Sequence, residues 1–129
     1  MSARVEVPAI PSWQELTRPV LAAMADGSIH SEREIRTKVL EDVGATLEQR
    51  RVMLPKTPRP MFDDHIHWAL NELFEAKAVQ RVSRGAYQVT ERGNDLLIGH
   101  PEGVPKKLLM TFPEYAARQA EQRIRRVRR

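Results

Sequence analysis

The segment from Met61 to Lys77, taken with the residues directly after it, constrains this chain more than any other feature. Phe62, Ile66, Ala69, Leu70 and Leu73 fall at i, i+4, i+7, i+8 and i+11, which is one face of a helix with 3.6 residues per turn. Two strand-like runs follow at once, Val79 to Ser83 and Ala86 to Thr90, separated only by Arg84-Gly85. A two-residue connection with glycine in it suits a β-hairpin, because glycine takes positive φ without steric cost. A helix that feeds straight into a hairpin leaves few folds open to a single domain of 129 residues.

The flanking segments are read from their caps. Ser12 with Glu15 and Ser31 with Glu34 match the capping box, in which each side chain bonds the other's free backbone N–H; Thr46 with Gln49 is a weaker version. The first box predicts a helix from Trp13 to Ala25 with Leu16, Val20, Ala23 and Met24 on one side. Pro19 either kinks that helix or marks its true start. Asp26-Gly27 is a turn, and Ser28 to His30 is an extended link or a short strand. The second box opens a helix to about Val43 with Gly44 as its C-cap, and the third opens a turn or two through Val52. The run LPKTPRP, with three prolines in seven residues, is a loop. After the hairpin, Thr90 caps a helix from Glu91 to about Ile98, which His100-Pro101 stops. Thr111 and Pro113 start a last helix whose apolar stripe is Ala116, Ala120, Ile124 and Val127.

The fold class expected is therefore α+β: mainly α with a small β-hairpin, a winged helix-turn-helix plus a C-terminal helix. Residues 1–11 read as an extended leader, 12–99 as the winged-helix domain, and 100–129 as a linker and basic helix.

Charge does not by itself settle a partner. The formal charge is +4 and the pI about 9.8, but residues 118–129 hold six arginines and one glutamate, +5 in all, which leaves 4 − 5 = −1 for residues 1–117. The basicity belongs to the tail, and bulk pI is no evidence for a basic patch on the body. The absence of cysteine excludes disulfides, thiolate nucleophiles and Cys-ligated zinc or iron–sulfur sites. No stretch approaches the roughly 20 apolar residues of a membrane span, and no secretory signal is visible, so the expectation is a soluble, cytoplasmic protein with no membrane partner.

The segment MFDDHIHWALNELFEAKAVQRVSRGAYQVTERGNDLL resembles the N-terminal winged-helix domain of the Mrr family of restriction systems. The likeness lies in Phe62-Asp63, Trp68-Ala69, the Ala76-to-Val79 exit, the Arg84-Gly85 wing tip and Thr90-Glu91-Arg92-Gly93 before Leu96-Leu97. Pro19-Val20-Leu21 upstream extends it over residues 12–99. The resemblance implies a non-catalytic module that binds double-stranded DNA, modified bases included, since in that family this domain reads DNA ahead of a PD-(D/E)xK nuclease domain. The expectation is a recognition module whose nuclease lies on another polypeptide or is lost. The alternatives are the recognition part of a longer nuclease, or a protein–protein interaction module using the winged helix and the terminal helix. A nuclease subunit or a second copy of the chain are the protein partners considered.

The residues expected at a DNA interface are Arg81, Arg84 and Arg92 around the hairpin, His67, Trp68 and Asn71 on the third helix, Lys106 and Lys107 after it, and Arg123, Arg125 and Arg126 in the tail. The third helix argues against them in part. It holds Asp63, Asp64, Glu72 and Glu75 against Lys77, and carboxylates facing a phosphate-lined groove oppose binding. Trp68 points away from the apolar stripe; it either stacks on a base or is covered by the proline-rich loop or the leader, and the covered reading is favoured.

No catalytic or metal residue and no cofactor is expected. Glu75-Ala76-Lys77 matches the E-x-K of metal-dependent nucleases, but Asp64 and Glu75 lie on one helix roughly 16 Å apart instead of converging on one ion. His65 and His67, two apart on a helix, do not face each other.

Overall fold

A computed structural model of the chain describes residues 8–128, so the first part of the leader, residues 1–7, lies outside it. The elements in order are α1 (Trp13–Ala23), β1 (His30–Ser31), α2 (Glu32–Asp42), α3 (Leu47–Arg51), α4 (Met61–Glu75), β2 (Val79–Ser83), β3 (Ala86–Val89), α5 (Glu91–Gly99), α6 (Lys106–Leu109) and α7 (Pro113–Val127). The architecture is α+β, mainly helical, with one small antiparallel sheet and a helix at the C-terminal end.

The caps act largely as their residue types dictate. In α1, Ser12 Oγ accepts the Glu15 N–H while the Glu15 carboxylate accepts the Ser12 N–H at 2.7 Å, so the helix starts at Trp13 and Pro19 lies inside it. Thr46 and Gln49 close the same reciprocal pair on α3. The box on α2 is only half made. Ser31 Oγ accepts the Glu34 N–H at 3.1 Å, but the Glu34 carboxylate turns to His30 Nδ1 at 3.4 Å. An ionisable neighbour outcompetes the backbone amide there.

His30 sits between two carboxylates, since its Nε2 also lies 2.8 Å from Asp26 Oδ1. That contact, then the Ser28 amide, holds the Asp26 carboxyl down to about 2. A carboxyl depressed in the fold contributes stability above its ordinary pKa and loses it as pH falls through the depressed one. Asp26→Asn is therefore expected to lose less stability than the parent between about pH 4 and pH 2. The comparison is of urea midpoints across that range; because Asp26 is exposed, the difference is small.

The sheet has three strands in the order β1-β3-β2, all antiparallel. His30 faces Tyr87 and Ser31 faces Ala86, while Val79 faces Val89 across the hairpin and the register shifts by a bulge between Arg81 and Ser83. Gly85 takes the turn at φ 73°, as its residue type requires. Lys77 does the same at φ 64° without being glycine. Its N–H donates to Phe74 O and the Ala78 N–H to Leu73 O, the paired bonds of a Schellman ending.

The core gathers Leu16, Val20 and Leu21 of α1, Ile35 and Val39 of α2, and Phe62, Ile66, Leu70 and Leu73 of α4 beneath Val79, Tyr87 and Val89 of the sheet. The segment expected as a linker adds to the same core: Val104, Leu109 and Tyr115 are fully buried in it. The Thr17 hydroxyl, also buried, reaches Val104 O at 2.8 Å. The one-turn helix α6 has no counterpart in the sequence pattern. Thr111 does not cap the last helix, because its hydroxyl donates back to Leu108 O at 2.6 Å and Phe112 takes the cap position.

The terminal helix also presents a different face from the one its pattern suggests. Tyr115 and Gln119 are buried, while Ala120 is exposed and Ile124 and Val127 are 52% and 80% exposed. The body covers only the side of the helix that carries Tyr115 and Gln119, and the large tyrosine ring is buried there while Ile124 and Val127 stay in water. Among the described residues no helix is long and apolar enough to cross a membrane.

Candidate nucleic-acid interface

Pairing of β1 with β3 draws the hairpin tip against the start of α2. The Gly85 carbonyl accepts the Glu32 N–H at 3.0 Å, so Arg84 and Arg33 flank a single hydrogen bond. Both are exposed, and neither makes an ion pair among the described residues. Sequence reasoning misses Arg33. Its only signal is a basic residue in the first turn after a cap, and its neighbour becomes known only once the strands pair.

Arg81 lies on the flank of this site. Its guanidinium stacks 5.0 Å from the Phe74 ring and 5.7 Å from the Tyr87 ring, and Lys77 Nζ approaches the same Phe74 ring at 5.9 Å. An aromatic ring pre-positions a cation while leaving it solvated. Lys77 and Arg81 thus share the Phe74 ring, while Arg84 and Arg33 lie where the hairpin tip meets α2.

Helix α4, which carries the long apolar stripe, turns its His67 side toward α2, where His67 Nδ1 contacts the Glu32 carboxylate. Asn71 is exposed one turn further on. The carboxylates that argued against binding are each matched by an arginine or an indole. Asp63 meets Arg36 at 3.7 Å, Asp64 meets Arg59 at 3.7 Å and Glu75 meets Arg118 at 3.5 Å. Glu72 Oε1 accepts the Trp68 indole N–H at 2.9 Å. These partners come from α2, the proline-rich loop, α7 and α4 itself, so a tally of charge along α4 could not find them.

Trp68 is partly covered by Trp13 at the start of α1, with ring centroids 5.9 Å apart, and His65 meets its edge. Trp68 remains 46% exposed. His65 Nδ1 is held by the Pro11 carbonyl at 2.8 Å.

Arg92 faces inward as a brace. One guanidinium nitrogen bonds Ala76 O at 2.9 Å and Glu114 at 2.8 Å, and the group stacks 4.4 Å from the Phe112 ring. It ties α4, α5 and α7 together and draws the Glu114 carboxyl below its ordinary range. Lys106 and Lys107 are exposed on α6, where the Lys106 N–H meets Gln14 and Lys107 lines the groove that also takes in Asp42. The hairpin tip meets the opposite end of α2, about 16 Å away along that helix. Arg123, Arg125 and Arg126 are exposed on α7. The residues expected at one interface thus fall into a hairpin group, an α4 group, an α6 group and a tail group, with Arg92 apart from them as a brace.

Among the described residues no cluster of His, Asp and Glu could hold a metal ion. Glu75 and Lys77 stand at the end of α4, with Glu75 engaged by Arg118.

The family described as the Mrr N-terminal domain matches residues 13–98, from the start of α1 to the penultimate residue of α5. No curated protein and no solved structure matches the chain at significance.

Proposed function

Because the chain belongs to the Mrr N-terminal domain family, we propose that it is the non-catalytic DNA-recognition module of a restriction-like system, a winged helix that grips duplex DNA, modified duplexes included, by its wing and the start of α2. The observation that carries this reading is the cationic junction. Arg84 and Arg33 flank the contact of the hairpin tip with α2, Lys77 and Arg81 share the Phe74 ring further along the hairpin, and Asp63, Asp64 and Glu75 of α4 are held by arginines from neighbouring elements.

Phosphates along one strand are negatively charged at regular spacing, and a cluster of solvated cations releases counterions when it meets them. Arg84 and Arg33 are suited to that role because no carboxylate competes for them among the described residues. His67 and Asn71, on the α4 face beside α2, are the residues placed to reach base edges. The exposed arginines of α7 add phosphate contacts without sequence preference. Strand cleavage is assigned to a separate nuclease domain, in keeping with the family's division of labour and with the engagement of Glu75 by Arg118.

The test is fluorescence anisotropy on matched methylated and unmodified duplexes at two salt concentrations. Arg33→Ala with Arg84→Ala is expected to weaken binding about tenfold or more. It should also flatten the salt dependence by about two units of slope, roughly 0.9 for each phosphate that is no longer neutralised. Asp64→Asn with Glu75→Gln should bind as the parent does or more tightly, because neutralising carboxylates near a phosphate groove removes repulsion. Parent-like affinity and slope in the arginine pair would show that the junction does not meet DNA.

A further inference from the structure

Where α1, the end of α2 and the segment around α6 meet, an open groove of about 840 Å³ runs between them, a size typical of small-molecule sites. Its apolar walls are aliphatic: Pro19 and Ala22 of α1, Val43 after α2, and Val104, Pro105 and Leu108 of the later segment. No Phe, Tyr or Trp among the described residues lines it, so it offers no large ring on which a base could stack. The later wall lies beyond the residues 13–98 that the family matches, so the chain past α5 completes the groove.

The charged groups at the groove are unevenly satisfied. The Glu15 carboxylate accepts the Ser12 N–H at 2.7 Å, and Glu102 lies 3.7 Å from His100 Nδ1. Arg18 and Lys107 have no ion-pair partner among the described residues, and Arg18 Nε is buried with no hydrogen bond. Asp42, the last residue of α2, is the one lining acid without a partner among the described residues. Two free cations against one free acid leave a single positive charge for an occupant to answer. Leaving a buried guanidinium N–H without an acceptor is costly. A carboxylate, whose two oxygens match the planar guanidinium, is the acceptor that satisfies it best.

We propose that this groove binds a small monocarboxylate with an aliphatic body. The carboxylate meets the Arg18 guanidinium, and the chain lies against Pro19, Ala22, Val43 and Leu108, out of water. A single negative head suits the net charge of the groove, whereas a di- or triphosphate brings more charge than Arg18 and Lys107 answer beside Asp42. Octanoate is expected to bind weakly, with a Kd on the order of 1 mM. The groove lies away from the hairpin tip, and its occupancy does not depend on DNA binding.

Octanoate titrated into the isotope-labelled full chain, without DNA, should shift the amide resonances of Arg18, Ala22, Val43, Gly103 and Leu108 together and saturably. Octylamine and octanol, which keep the chain and change the head, should bind about tenfold more weakly or not at all. Arg18→Gln should weaken octanoate about tenfold. Ala22→Leu, which fills the groove without altering its charge, should weaken it as much, and thermal unfolding checks that both variants keep the parent's fold. The octylamine and octanol arms use the parent chain, so they decide the matter even where a variant fails to fold. No saturable shift up to about 10 mM octanoate, shifts confined to other residues, or octylamine or octanol binding as tightly as octanoate would overturn the proposal. Parent-like affinity for octanoate in a folded Arg18→Gln variant would do the same.

Discussion

Gly93→Ala is expected to destabilise the domain by about 3 kcal/mol or more, lowering Tm by roughly 10 °C. Inside a helix that substitution ordinarily stabilises, since alanine is the better helix former by about 1 kcal/mol. Here the added Cβ would lie 2.1 Å from Ala78 O and 2.7 Å from Val89 Cγ2. The first of these atoms cannot move aside, because Ala78 O accepts the Thr90 N–H at 3.1 Å and belongs to the chain entering β2. Thr90 is fixed in turn, with its hydroxyl donating to Lys77 O at 2.7 Å and accepting the Gly93 N–H at 3.2 Å. Glycine at 93 thus lets α5 lie directly on the base of the hairpin. Gly99→Ala is the control, because a Cβ at the far end of the same helix meets nothing within 4 Å. Thermal unfolding should separate the two variants widely; a Gly93→Ala midpoint within about 3 °C of the parent would refute the close approach.

Tyr115→Ala is expected to cost about 3–5 kcal/mol, whereas Tyr115→Phe should stay within about 1 kcal/mol of the parent. The ring is fully buried and is the main apolar group joining α7 to the core. Its hydroxyl contributes little, because it lies beside the Glu72 carboxylate without a well-formed hydrogen bond. Burial, and then that carboxylate, push the phenol's pKa above its ordinary value. Removing the hydroxyl therefore relieves a desolvated group, while removing the ring leaves a cavity under α7. Denaturant unfolding of the two variants makes the comparison. A loss in Tyr115→Phe comparable to that in Tyr115→Ala would mean that the hydroxyl, and not the ring, anchors the helix.

Much of the element order is legible in local chemistry. Capping boxes at Ser12 and Thr46, the Phe62–Leu73 stripe and the Arg84-Gly85 turn all depend on residues a few positions apart, and each lies where its pattern indicates. The misreadings share one cause, which is a partner distant in sequence. The stripe Ala116–Val127 is the most regular apolar pattern in the last helix, yet Tyr115 and Gln119 face the core because α4 offers the larger burial there. Arg92 reads as a wing cation but braces Ala76 and Glu114. The acids of α4 read as a repulsive face but are paired with Arg36, Arg59 and Arg118.

The sequence by itself determined helices α1 to α5, their starts and the hairpin, because caps, period and turn chemistry act within one or two turns of chain. It also carried the family likeness, which is a pattern of such local features in order. Only the tertiary structure decided which charges are exposed and which are engaged. Whether Arg84 lies beside Arg33, whether Glu75 meets Arg118, and which side of α7 is left open all depend on pairings across long loops. Electrostatic and packing energies follow distance in space, and distance along the chain does not report it.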